Sequence, residues 1–185
     1  MTERAKLWKM LETLITNKTR LKLLLKFFLN SKSRSYLRNL ETEFDESSNA
    51  IRIELNRFEE AGLLVSNSEQ NRKIFRANTE HPLFPDLHNL LMKYMGFDQI
   101  LDKVVHKLGG IARAYITGDL AKGKDAKEID LALIGNNIDK DYLKELIQKA
   151  EKVIKRTIIC LILDKEEEAL FLAQHPEALI IWNEV

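Results

Sequence analysis

A chain of 185 residues with 45% apolar and 31% charged content holds enough apolar material for a sizeable core, in one domain or two small ones. No run approaches the roughly 18 apolar residues of a membrane span, and the charged amino terminus lacks the apolar centre of a secretory signal. A cytoplasmic location with no membrane partner is therefore expected. The single cysteine, Cys160, excludes an internal disulfide and a cysteine metal cluster, and it reads as a packing residue in an apolar strand.

His81, His88, His106 and His175 show neither helical i, i+4 pairing nor a His-Glu-x-x-His pattern, so no zinc, other metal or cofactor is assigned. The net charge of +1 hides an asymmetry. Residues 1–40 hold ten Lys or Arg against two acids, residues 41–80 five against nine, and residues 81–185 fourteen against seventeen. A basic leading segment is the electrostatic footprint of a nucleic-acid module, and equally what a solvated helix face looks like.

In chain order, the first expected helix runs from Ala5 to Ile15, with Leu7, Met10, Leu11, Leu14 and Ile15 available for packing. From Thr19, Leu21, Leu24, Leu25, Phe28 and Leu29 recur at helical spacing with Lys22 and Lys26 opposite, which predicts an amphipathic helix. Ser33 or Ser35 is expected to cap a second helix bearing Tyr36, Leu37 and Leu40, ended by Phe44-Asp45-Glu46. Ser47 or Ser48 then offers an oxygen to the free N–H groups of a helix from about Asn49 to Ala61, where Gly62 supplies the left-handed stop. Ile51, Leu55 and Phe58 face its core, leaving Ser48, Asn49, Arg52 and Asn56 on the other side.

Two short strands, Leu63–Val65 and Ile74–Arg76, flank the polar tip Ser66–Lys73. Helix, helix, helix and β-hairpin in this order describe a winged helix-turn-helix, whose third helix enters a major groove. The stretch Ile51–Ala77, IRIELNRFEEAGLLVSNSEQNRKIFRA, closely resembles winged-helix repressors of the ArsR and MarR kind. That likeness implies that Ser47, Ser48, Asn49 and Arg52 approach base edges, that Arg72 and Lys73 hold phosphate, and that Arg57 meets the backbone. The cysteine and histidine clusters of metal-sensing ArsR proteins are absent from this half. The following HPLFPDL, residues 81–87, resembles the connector that joins such a reader to a nucleotidyltransferase-like domain in a two-part regulator family.

Leu83, Phe84, Leu87, Leu90, Leu91, Tyr94 and Met95 form one helical stripe, and Ile100, Leu101, Val104, Val105 and Leu108 a second after Gly96. These serve as core or dimer contact. Strands are expected at 111–117, 129–134 and 157–163, helices at 141–154 and 166–174, and an edge strand or apolar tail at 178–182, making a small α/β sheet domain. The expected division is 1–80, 81–108 and 109–185, and the fold class is α+β.

The segment Tyr115–Gly135, YITGDLAKGKDAKEIDLALIG, carries the chemistry. Acids two apart on a strand share a face and can hold the metal pair of a nucleotidyl transfer, a spacing that Glu128 and Asp130 keep. The segment resembles the nucleotidyltransferase-like family, in which a strand ends in Gly-Ser, a short basic helix follows and the next strand carries Asp-x-Asp. Gly118, Ala121-Lys122-Gly123 and Glu128-Ile129-Asp130-Leu131 match that pattern. Glu128 is one methylene longer than the family's aspartate, and Asp119 replaces its serine. A carboxylate facing the phosphates there would repel them by about 4 kcal/mol at about 4 Å and an effective dielectric near 20. TIICLIL, residues 157–163, contains no acid to complete the set.

The reading is a homodimeric regulator bound to double-stranded DNA, with a degenerate nucleotide site at Gly118, Asp119, Lys122, Glu128 and Asp130 and no catalytic residue. A nucleotide or small-molecule effector would occupy its cleft. Two rivals stay open. One is a metal-dependent nucleotidyltransferase modifying a protein or RNA, with Glu128 and Asp130 as ligands. The other is a non-catalytic adaptor that recruits protein through Leu83–Leu108.

Overall fold

The computed structural model describes residues 9–11, 13–124 and 126–184. The fold is α+β with two sheets, and the chain divides into compact units at Leu91/Met92, inside a helix. Of the expected helix at 5–15, residues 5–8 and 12 lie outside the described residues, and residues 9–11, 13 and 14 are helical.

In the leading unit, α1 (Lys18–Leu24) starts where the Asn17 side chain accepts from the Arg20 N–H, and it widens into a π-helical turn at Leu25–Leu29. That turn buries Leu25, Phe27, Phe28 and Leu29. A strand, β1 (Arg34–Tyr36), leads directly into α2 (Leu37–Phe44), which has no side-chain cap. The expected capping role of Ser33 or Ser35 is corrected here. Ser35 is buried in β1, in register with Phe75, and its backbone is committed to a sheet.

The next helix, α3 (Ser48–Glu60), follows the expected signals. The Ser47 side chain accepts from the Ala50 N–H at 3.3 Å. At the other end Gly62 sits at φ +70°, its N–H bonded to Glu59 O and that of Leu63 to Phe58 O, a left-handed helix stop. The hairpin pairs β2 (Leu64–Glu69) with β3 (Arg72–Ala77), longer than expected and joined by Gln70-Asn71 alone. Both turn residues have positive φ, 47° and 62°, as a two-residue I′ connection requires. The sheet order is β1-β3-β2.

The core of this unit gathers Leu23, Phe27, Phe28, Leu40, Ile51, Leu55, Phe58 and Phe75, with Phe28 meeting Phe58 edge-on at 6.5 Å. One acid is buried among them. Glu54 is 1% exposed and is held by Arg20 Nε at 2.7 Å and Arg57 Nη1 at 2.6 Å. The Arg20 hydrogen bond, opposed by burial and aided by both positive charges, keeps its carboxyl below the usual range. Helix α4 (Phe84–Met95) closes the unit, with Phe84 against Phe28 at 5.7 Å.

The second unit begins with α5 (Phe97–Lys103), entered through Gly96, and a 3-10 turn at Val105–Lys107. Its sheet runs β6-β5-β4-β7, where β4 is Ile111–Thr117, β5 Glu128–Gly135, β6 Thr157–Leu163 and β7 Leu179–Asn183. β4 pairs antiparallel with β5 and β7, while β5 and β6 are parallel and joined by helix α7 (Lys140–Ile154). The short α6 (Gly118–Ala121) lies between β4 and β5. Asp139 caps α7, whose Leu143, Leu146, Ala150 and Ile154 repeat at helical spacing and are buried.

On one face of this sheet Tyr115, Ala132, Ile134 and Phe171 cluster beneath α8 (Glu168–Gln174). Glu168 fixes that helix: its carboxylate accepts from Arg113 Nε and Nη2 and from the Tyr115 hydroxyl, the latter at 2.7 Å. Burial, reinforced by the Glu168 hydrogen bond and charge, pushes the Tyr115 phenol up to about 12.

Candidate active site

The chain turn after β4 places an acid against bare backbone. Gly118 has φ +69°, a left-handed conformation open to glycine, and its missing Cβ is the space that the Asp130 carboxylate fills, with Asp130 Cγ 3.4 Å from where a Cβ would lie. Asp130 sits there because β5 registers it opposite Thr117, the last residue of β4. Glu128, two residues earlier, shares its face at the exposed entry of the strand.

A cleft of about 360 Å³ opens from this point. Its polar end holds Thr117, Gly118, Asp130, His175 and Glu177, and its apolar floor runs through Ala132, Ile159, Leu161 and Phe171. Ile159 lies opposite Asp130 on β6 and is 52% exposed, so the acid-free run at 157–163 becomes an open apolar platform.

Glu177 is the residue that sequence reasoning missed. Its Oε1 accepts from the Gly118 N–H at 3.3 Å and lies 3.4 Å from His175 Nδ1. Burial works against its charge, but hydrogen bonds from its own amide, the Gly118 amide and His175, with the Lys122 charge nearby, hold its carboxyl below the usual range. No local signal marks it: Pro176-Glu177 precedes the apolar ALIIW run, and only the pairing of β7 with β4 at Ile116–Leu179 brings that turn beside Gly118.

Of the five residues expected at the nucleotide site, Gly118 and Asp130 line the cleft. Asp119, Lys122 and Glu128 are exposed, and the cleft lining does not include them. The Asp119 carbonyl accepts from the Lys122 and Lys124 amides. The expected catalytic silence rested on Asp119, on the longer Glu128 and on the acid-free run at 157–163, and its main ground is corrected here because Asp119 does not line the cleft. Among the described residues no group of three His, Cys, Asp or Glu side chains can enclose a metal ion. Asp130 and Glu177 fit instead a magnesium ion that arrives with a nucleotide, since such an ion keeps most of its ligands as water and phosphate and takes one or two carboxylates.

The seven residues expected to grip DNA are dispersed in role. Ser47 is spent on capping α3, Arg57 pairs with Glu54, and Lys73 pairs with Glu59 at 2.6 Å. Ser48 and Asn49 open the helix, Arg52 is exposed on it, and Arg72 lies 4.9 Å over the Tyr36 ring. None of the described helices is long and apolar enough to cross a membrane.

No family model and no curated protein matches the chain. Two solved structures do. A tri-AMPylated Shewanella oneidensis HEPN toxin in complex with MNT antitoxin is 17% identical over 50% of this chain and 74% of that one, with a TM-score of 0.37. A mutant of the toxin–antitoxin MntA–HpeT is 17% identical over 48% of this chain and 70% of that one, with a TM-score of 0.35. The expected kinship with ArsR and MarR regulators is corrected accordingly: no comparison returns such a protein, and the structures that match are toxin–antitoxin proteins. The transcriptional role, and the double-stranded DNA and second copy expected as its partners, are withdrawn with that kinship.

Proposed function

We propose that this protein is a metal-dependent nucleotidyltransferase that modifies a macromolecular partner. The observation that carries the reading is the Asp130 carboxylate packed over the bare Gly118 backbone at the mouth of an open cleft. In fold terms it reads the second unit as a nucleotidyltransferase-like sheet domain. The leading unit has the helix, hairpin and strand order of a winged-helix module, used as a grip on the partner. The boundaries 1–80, 81–108 and 109–185 belong to the same proposal, as does a cytoplasmic location, where nucleoside triphosphates are made.

Asp130 and Glu177, at the polar end of the cleft, would hold a magnesium ion brought by the triphosphate, which would neutralise part of its charge. The Gly118 amide beside them would meet the phosphates. The acceptor oxygen bonds to the α-phosphorus while the bond to the bridging oxygen breaks, releasing pyrophosphate and the acceptor's proton. The apolar floor at Ile159 and Leu161 takes the least polar part of the reactants and excludes water there.

The test is incubation with α-labelled triphosphates, magnesium and a cell extract. Label should pass to a partner, and Asp130→Asn should lower the rate at least about a hundredfold, the usual loss when one group stabilising developing charge is removed. Absence of label on any acceptor, or transfer by Asp130→Asn at the parental rate, sinks the reading.

A further inference from the structure

Among the described residues, the leading unit commits six of its thirteen basic residues to ion pairs of its own. Arg20 and Arg57 hold Glu54, Lys22 holds Glu46, Lys26 holds Glu43, Arg34 holds Glu69 and Lys73 holds Glu59. Arg38, Arg52 and Arg72 are exposed and form no ion pair among the described residues, and what sets them apart from other unpaired cations such as Lys32 and Arg76 is where they lie. They converge with Lys73 on one concavity of about 700 Å³, bounded by α2, α3 and the hairpin. Its lining contains no Asp or Glu, and its accessible apolar part is the half-buried Tyr36 and Leu37, with Leu55 and Phe75 buried behind them.

That convergence makes the charge informative. Three arginines without an ion pair share one small groove whose lining holds no acid, beside Lys73, which Glu59 relieves from outside it. Guanidinium groups favour planar two-oxygen acceptors, so the missing partner carries carboxylates or phosphates. The shape of the lining favours a peptide: an extended peptide alternates its side chains every residue, sending carboxylates to the arginines and apolar groups to Tyr36 and Leu37.

We propose that this groove binds an acidic, partly apolar segment of the protein that the enzyme modifies. From the preceding reading it takes only that the partner is a protein; binding needs neither nucleotide nor Asp130.

Fluorescence anisotropy of the full chain tests it, at low salt and without nucleotide. The probes are a labelled 12-residue peptide alternating Glu and Leu, its Gln-for-Glu counterpart, a 12-nucleotide single-stranded RNA and a 20-base-pair DNA duplex. The Glu peptide should bind, the Gln peptide at least tenfold more weakly, and both nucleic acids more weakly than the Glu peptide. Arg52→Glu and Arg38→Glu should each lower its affinity about tenfold or more, at unchanged thermal melting, because a hydrogen bond to a charged group is lost and a like charge introduced. Asp130→Asn should bind normally, which separates failure of the groove from failure of the transfer reading. Equal binding of the Gln peptide, wild-type affinity in both charge reversals, or tighter binding of RNA or duplex overturns the proposal.

Discussion

Replacing Gly118 with alanine separates the geometry of the cleft from the stability of the domain. The substitution forces an L side chain into φ +69°, at a cost of about 1–2 kcal/mol. For a chain of this size, each kcal/mol lowers Tm by about 2–4 °C. The new Cβ would also collide with Asp130 Oδ2, but this is the far end of a side chain that can rotate, and Asp130 Cβ is already at an ordinary 3.9 Å. The domain should therefore still fold, with the Asp130 carboxylate displaced by about 1 Å, a misplacement worth about a hundredfold in rate. Differential scanning fluorimetry and labelled-nucleotide transfer, run on the same preparations, should show a modest drop in Tm beside a near-complete loss of transfer. Parental melting together with the parental rate would refute the reasoning, since the carboxylate would then not rest on this backbone.

Other perturbations probe the charged networks. Glu54 has a depressed carboxyl, so the stability it contributes is present above the unfolded value near 4.5 and is lost as pH falls through the lower folded value. Glu54→Gln should lower Tm at neutral pH and flatten the acid arm of a melting-versus-pH curve; an unchanged acid arm would place the titrating group elsewhere. Tyr115→Phe removes one hydrogen bond to Glu168 and should cost about 1–2 kcal/mol in denaturant titration. With its phenol raised from 10.0 to about 12, Tyr115 lends stability below pH 10 that disappears as pH climbs between those values, and Tyr115→Phe should lack that alkaline loss. Burial pushes the Cys160 thiol up to about 12, so a disulfide reagent at pH 8 should modify the folded protein at roughly a thousandth of the rate of the denatured chain. Equal rates would mean the strand opens freely.

Where local chemistry alone decides, the sequence was readable. Ser47 and Gly62 bound α3 because a cap oxygen and a left-handed stop act within four residues of themselves. The strands at 111–117 and 157–163 stand where their apolar runs place them. What was lost depends on partners far along the chain. Ser35 carries a helix-cap side chain, yet β3 recruits its backbone into a sheet. The hairpin strands extend past the expected tip because Gln70-Asn71 adopts a turn usually announced by Asn-Gly. Gly118 and Asp130 were visible as a spacing, but Glu177 was not, since nothing near residue 177 announces that its turn will lie beside residue 118.

The β4–β7 pairing has a consequence for how the cleft comes into being. A β4–β5 hairpin needs only nearby chain, whereas β7 must bring residues near 180 back to residues near 114, a closure that conformational entropy makes late. During synthesis, then, the Asp130 wall of the cleft takes shape before the Glu177 wall exists. A ribosome-stalled or clipped product ending before residue 177 would carry the first without the second.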